Sequence, residues 1–297
     1  MKLALPLPFF RDLRHWDSVR GLALLSPTLI VMVALLAAPL ALLVLYSLWR
    51  QIDLTLDTHL TFAEYANVFA RERTRTLFFR SLGISALVTF VTVALAYPMA
   101  WFVAFRVTRR KFLWLVALTI PFWTSYLLRV FAWKVILGYN GVVNSALISL
   151  GLIKVPLEML LYNPFAVILT LAHAWAPFAI LPLYVSLDKI DRSLLDAAAD
   201  LGDSSFARFC RITLPLSLPG ILAACVIVFV PTTGDYVTPT LVGGPDGTMI
   251  ANAIEVEFDR IGNWPMGAAI AVASIVFVGA ITGAFALFAR SLAARVR

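Results

Sequence analysis

The chain has 297 residues, 61% of them hydrophobic and only 14% charged, with a mean hydropathy of +0.89 and a formal net charge of +7. Soluble domains carry about 25% charged residues, so this composition excludes a soluble globular protein and describes an integral membrane protein. The basic residues are dispersed between apolar segments instead of gathered into a stripe, which excludes nucleic acid as a partner.

In chain order, five windows carry no Asp, Glu, Lys or Arg: Gly21–Trp49, Ser81–Phe105, Met159–Leu187, Ile212–Gly234 and Ile261–Ala289. Each exceeds the roughly 20 residues a helix needs to cross a bilayer. A sixth window, Phe112–Leu128, ends at Arg129 and still reaches about 25 Å at 1.5 Å per residue. The expected fold is therefore an all-α integral membrane protein with six transmembrane helices, since open strands cannot satisfy their backbones in lipid. The spans are expected at about 22–49, 82–105, 112–129, 165–187, 215–234 and 265–289, with short tails at 1–20 and 291–297. The first uncharged run, 29 residues long, is too long for the 7–15-residue core of a cleaved signal and reads as a retained helix.

With both termini in the cytoplasm, 15 of the 24 Lys and Arg residues fall on the inner side and seven on the outer side, as the positive-inside rule demands. Residues 50–80 then form a mixed-charge outer loop that starts as an interfacial helix. Segment 130–164 is apolar but broken by Lys134, Gly138, Asn140, Gly141, Pro156 and Glu158, and reads as a re-entrant or surface helix region at the outer face. Residues 235–260 form an outer loop rich in Gly, Pro and acid. Cys210 and Cys225 lie in different compartments of the fold, so no disulfide is expected. His15, His59 and His173 have no metal-ligand spacing.

The longest inner loop spans 188–214, and the stretch "DAAADLGDSSFARFCRITLPLSLPG" (196–220) carries it into the next span. Leu194, Ala198 and Leu201 recur at helical spacing, and Asp196, Asp200 and Asp203 repeat it on another face, which predicts a short amphipathic helix. Ser193 is its expected cap and Gly202 its stop in left-handed geometry. Ser204 or Ser205 caps a second helix, with Phe206, Phe209 and Ile212 on one face, and Pro215 and Pro219 bound the entry to the next span. A connector needs only a few residues. One of about two dozen with apolar ridges and flanking charge is suited to docking in a groove. The competing reading, a helix lying on the lipid surface, is disfavoured by three aspartates facing anionic headgroups.

This loop resembles that of ABC importer permeases, whose pattern is E-A-A, three residues, G, nine residues, I-x-L-P. Here Asp196, Ala197 and Ala198 precede Gly202 at the same spacing, and nine residues later come Ile212, Leu214 and Pro215. The one departure is Asp for Glu at 196. The resemblance implies a type I importer architecture in which the loop is a cytoplasmic coupling helix seated on an ATPase subunit. "PFWTSYLLRVFAWKVILGYNGVVN" (121–144), "WAPFAILPLYVSLDKID" (175–191) and "GDYVTPTLVGGPDGTMIANAIEVEF" (234–258) extend it to the spermidine/putrescine-type permeases, specifically the first of their two permeases. It implies a bacterial inner-membrane location, a second permease, two ATPase copies and a periplasmic binding protein. ATP and Mg belong to the ATPases: this chain has no G-x-x-x-x-G-K-[ST] to cradle phosphates and is expected to bind no cofactor or metal and to catalyse nothing itself.

For the substrate path the residues leave alternatives open. Arg129, near the outer interface, snorkels to headgroups or forms a gating ion pair with an outer acid such as Asp235. Asp235, Asp246, Glu255, Glu257 and Asp259 form an acidic mouth attractive to a polyamine, or simply reflect the avoidance of Lys and Arg outside. Tyr236, Trp264 and Trp123 serve cation–π contact or interfacial anchoring. His173 is expected as a helix–helix hydrogen-bond partner, and Pro177 and Pro182 as a bend in their helix. Two other functions compete: an ion-gradient-driven secondary transporter, which needs intramembrane acids or broken midplane helices, and a membrane anchor for a cytoplasmic complex.

Overall fold

The computed structural model describes residues 9–53 and 55–296, so the expected tail residues 1–8 and Arg297 lie outside the described residues. The elements run α1 (Phe9–Ser47), a hairpin β1 (Arg50–Ile52) and β2 (Thr55–Asp57), α2 (Ala63–Ala70), α3 (Glu72–Trp101), α4 (Lys111–Thr119), α5 (Tyr126–Leu137) and α6 (Val142–Ser149). They continue with α7 (Pro164–Asp188), α8 (Arg192–Asp200), α9 (Ser205–Arg208), α10 (Leu214–Thr233), α11 (Gly244–Gly247), α12 (Ile250–Glu255) and α13 (Trp264–Val296). The hairpin, in antiparallel register Arg50↔Asp57, is the one departure from an all-helical chain among the described residues.

Helices α3, α7 and α10 form the centre. Their contact faces are built from small residues: Ser81, Ser85, Thr92, Ala96 and Ala100 on α3, and Ser217, Gly220 and Ala224 on α10, all buried. In lipid the helices have no hydrophobic drive to associate, so close approach and van der Waals contact hold them. Gly220 is the closest point: a Cβ there would lie 2.4 Å from Cβ of Ser186 and 2.6 Å from the Pro182 carbonyl. Ser186 Oγ accepts from Gly220 N at 3.3 Å, and the Tyr97 hydroxyl meets Ser217 Oγ at 2.9 Å. Pro177 and Pro182 lie within α7. Outside this core α1 leans on α13, with the Tyr46 and Trp264 rings 5.7 Å apart, and otherwise presents an exposed apolar surface.

Five helices are long and apolar enough to cross a membrane among the described residues: Leu24–Ser47, Glu72–Arg106, Pro164–Asp188, Ser205–Thr233 and Trp264–Leu287. The expected crossing at 112–129 is not one helix. Pro121 has no N–H to continue α4, a 3₁₀ turn spans Ile120–Trp123, Thr124 and Ser125 are extended, and a new helix starts at Tyr126. Such a break is tolerated in lipid only against protein or a cavity, and this one lines a pocket described below. The outer loop at 235–260 is likewise helical where an irregular loop was expected, with π turns at Pro239–Gly243 and Val256–Ile261 flanking α11 and α12.

Candidate functional site

The loop after α7 folds as two short helices joined by a tight turn. Asp191, not Ser193, caps α8, its carboxylate accepting from Ser193 N at 2.9 Å. That bond holds the Asp191 carboxyl below the usual carboxylate range. The helix ends in a Schellman motif: Asp203 N donates to the Ala198 carbonyl at 3.0 Å and Gly202 N to that of Ala199 at 2.9 Å. Gly202 sits at φ +90°, a conformation that a Cβ opposes. This explains the spacing Asp196-Ala197-Ala198, three residues, Gly202: it is the length of one helix end and its left-handed stop. Ser204 caps α9, and a π turn at Phe209–Thr213 carries α9 into α10 without the expected break at Pro215.

The knob is fastened from within and open outside. Ala198 is buried, and Arg208 reaches back to the Leu195 carbonyl at 3.4 Å. Arg211 pairs with Asp203 at 2.9 Å, and Phe209 packs edge-on against Tyr97 of α3. Ile212, Leu214 and Pro215 are half-buried where the knob meets the membrane helices, whereas Asp196 and Ala197 are exposed. At the tip Leu201 is 89% and Phe206 76% exposed. Behind the knob, the Ala104 carbonyl accepts from Lys111 Nζ and from Arg192 Nη2, both at 3.1 Å, and Lys111 pairs with Asp188 at 2.6 Å. The first residue of α8, the last of α7 and the first of α4 thus converge on the end of α3.

In the segment 235–260, three of the acids have close partners. Glu257 is buried and pairs with Arg71 at 2.9 Å; Glu255 lies 3.7 Å from Arg260, and Asp246 3.9 Å from Arg80. Asp235 accepts from the backbone N–H groups of Val237 and Thr238, from the Thr238 hydroxyl at 2.8 Å, and from the Tyr126 hydroxyl. Asp259 alone of the five is exposed with no ion pair among the described residues. Asp235 and Glu257 are thus braced by partners, whereas Asp246 and Asp259 remain exposed. Tyr236, Trp123 and Trp264 are exposed, and the Tyr236 carbonyl accepts from Asn252 Nδ2 at 2.9 Å.

Arg129 makes no ion pair with Asp235 among the described residues. Its Nη1 donates to the Ala174 carbonyl of α7 at 3.3 Å, and it shares a pocket with Asp235, whose side-chain partners are Tyr126 and Thr238. His173 packs edge-on against Trp133, with ring centres 5.5 Å apart. Sequence reasoning missed Tyr126, Ser81 and Asn252. Ser81 Oγ accepts from Ile250 N at 2.6 Å, and Asn252 ties α12 to the segment after Asp235. Polar residues in apolar runs were their one visible signal.

Residues 62–297 match the family described as binding-protein-dependent transport system inner membrane component. The chain belongs to this family. It is 39% identical over 199 residues to the spermidine/putrescine transport system permease protein PotB of Escherichia coli K12, covering 67% of this chain and 72% of that protein. Against PotB of Haemophilus influenzae it is 36% identical over 219 residues, 74% and 76% of the two chains. The fold is that of a chain from a bacterial alginate ABC transporter solved with its alginate-pentasaccharide-bound periplasmic protein, with a TM-score of 0.71 at 18% identity over 95% and 98% of the chains. A chain of the inward-facing MetNI methionine ABC transporter gives a TM-score of 0.56 at 15% identity, over 75% of this chain and 99% of that one. The protein is thus an inner-membrane permease subunit of an ABC importer with the type I fold, working with a partner permease, an ATPase and a binding protein. The secondary-transporter and anchor readings fall away.

Proposed function

We propose that this permease imports polyamines of the spermidine/putrescine type and that residues 192–215 are the joint through which ATP-driven motion enters the membrane. The observation that carries the second part is the knob's construction: Leu201 and Phe206 exposed at the tip, Gly202 setting the angle, and Arg192 fastening the base to Ala104, on which Lys111 of α4 also closes. A rigid, apolar-tipped body tied to three membrane helices transmits displacement, whereas a flexible loop absorbs it. The polyamine substrate is supported by the PotB relatives.

In this reading both termini are cytoplasmic. A distinct second permease completes the path, two ATPase copies hold ATP and Mg and dock at the coupling helices, and a periplasmic receptor delivers substrate from outside. Closure of the ATPases moves Asp196–Gly202, and the clamp at Ala104 passes that movement to α3, α4 and α7 together. The test is to purify the complete transporter in lipid nanodiscs and measure receptor-stimulated ATP hydrolysis with spermidine, putrescine and an amino acid control. Stimulation by the amines alone supports the reading. Stimulation by the amino acid alone overturns the substrate class and leaves the coupling role standing.

A further inference from the structure

The pocket between α5, α7 and α10 has a volume of about 310 Å³ and is walled by Phe122, Tyr126, Trp175 and Phe178, with Arg129 and Asp235 as its charged groups. Aromatic faces beside one fixed carboxylate are the chemistry that recognises an ammonium ion. A cation of the protein's own already stands there. The Arg129 guanidinium carbon lies 5.7 Å from the Phe122 ring centre and 5.8 Å from that of Tyr126.

That cation is loosely held. Arginines that serve structure engage their planar fork on a carboxylate. Arg129 makes one long hydrogen bond among the described residues, 3.3 Å to the Ala174 carbonyl, and its Nε is buried with no acceptor. Asp235 offers it no ion pair, because the carboxylate is already bound by Tyr126, Thr238 and two backbone N–H groups. A cation here is held by ring faces and by the Asp235 charge. A long side chain with one weak anchor can leave such a place at small cost.

We infer that Arg129 is a resident plug in an amine-binding pocket: its guanidinium occupies the aromatic box that takes the substrate's ammonium group during passage, and it swings aside when the substrate enters. The inference rests on the amine reading above. It gives the break at Pro121 a purpose, since the break sets Phe122 and Tyr126 on the same pocket from two different elements. It also accounts for a positive residue on a cation's path: the plug holds the pocket against small cations and keeps the substrate's own binding weak enough for release.

The experiment uses the complete transporter in nanodiscs, with radiolabelled putrescine binding measured without the receptor and receptor-stimulated hydrolysis measured with it. Removing a competing cation from two aromatic faces is expected to tighten putrescine binding about tenfold in Arg129→Gln. Arg129→Lys is expected to bind as the parent does, and Phe122→Leu to bind more weakly than the parent. Binding in Arg129→Gln that is unchanged or weaker, in protein that melts at the parent temperature, overturns the plug. Should Arg129→Gln fail to fold, unchanged binding in Phe122→Leu overturns it equally, because the box would then hold nothing. If amines stimulate the parent's hydrolysis while Arg129→Gln binds as before, the plug alone fails. If no amine stimulates the parent, the substrate reading fails and the plug with it.

Discussion

The coupling knob and the outer acidic segment differ in how their charges are used. In the knob, residues 191–211, the acids find partners close in sequence, Asp191 with Ser193 and Asp203 with Arg211, and the long-range ties are Arg192 on Ala104 and Phe209 on Tyr97. Residues 235–260 also have local pairs, such as Glu255 with Arg260, but their charge pairs to other elements are remote. Glu257 pairs with Arg71, and Arg80 bonds Pro245 and Thr248, across more than 160 residues in each case. The knob is a local fold attached to the membrane helices, while the outer segment is a brace between the start of α3 and the region before α13. A substitution in the first is therefore expected to spoil transmission and leave the protein folded. One in the second is expected to spoil stability before it touches transport.

The sharpest way to break this contrast is Gly202→Val. A β-branched side chain at φ +90° is strained by about 1–2 kcal/mol or more, although nothing lies within 4 Å of the new Cβ. The cost falls on the angle between α8 and α9, not on packing. Transport and receptor-stimulated hydrolysis are expected to fall more than about tenfold while the variant inserts and melts like the parent, with Gly202→Asn intermediate because Asn tolerates left-handed backbone better. Co-purification of the ATPase and stimulated hydrolysis in nanodiscs check this. A variant that melts early but couples normally would reverse the assignment of the two regions.

Next in size is Glu257→Gln. Its side chain is 10% exposed against 48% for Arg71, so the pair is half screened. Its loss is expected to cost about 1–2 kcal/mol and to lower the melting temperature by about 2–8 °C, with uptake per folded molecule unchanged. Arg71→Met should cost about as much, and the double variant less than the sum, because the two changes remove one interaction. Melting curves of the four proteins in one detergent close the cycle; additive losses would mean the brace lies elsewhere.

The same contrast explains what was legible in the sequence. Five of six spans were, because absence of charge over 20 or more residues has one physical meaning in lipid. The knob was, down to Gly202, because a helix, its stop and its next cap are set by neighbours. The sixth was legible as an apolar run but not as a broken one: Pro121 read as one more tolerated residue, and the break depends on the pocket beside it. The acidic segment was legible only in part, since counting Glu255, Glu257 and Asp259 in one loop cannot show that Arg71 and Arg80 arrive from the far side. Ser193 is the expected cap of α8, but the chain begins the helix two residues earlier and uses the carboxylate of Asp191 as the acceptor.

A weaker effect belongs to Asp259, the exposed acid of the outer segment without an ion pair among the described residues. An isolated surface charge acts over about one Debye length, so Asp259→Asn is expected to lower the initial rate of amine uptake by less than about threefold at low salt and not at all near 0.5 M salt. Uptake into proteoliposomes at the two ionic strengths reads it. A loss of the same size at both would place Asp259 in direct contact with substrate or receptor and make the outer segment more than a brace.

The smallest effect is expected at the start of the knob. Asp191 accepts from Ser193 N, and this bond to the ionised carboxylate sets its pKa below the ordinary value. A group whose folded pKa is depressed adds stability that is fully present above its unfolded pKa, about 3.9 for Asp, and that is lost as pH falls through the folded value. The cap is therefore complete throughout the range in which the transporter works, and coupling should show no pH dependence from it between pH 6 and 8. Below about pH 4 the first turn of α8 should fray, without unfolding the core. Hydrogen-exchange protection of the amides at Ser193–Leu195 is the readout, compared between the parent and Asp191→Asn, which retains an acceptor but cannot titrate. The parent should lose protection relative to the variant on acidification, and the difference should vanish near neutrality. Equal pH dependence in both proteins would mean that protection at this end of the knob comes from the Arg192 anchor on Ala104, and that the clamp, not the cap, fixes where the joint begins.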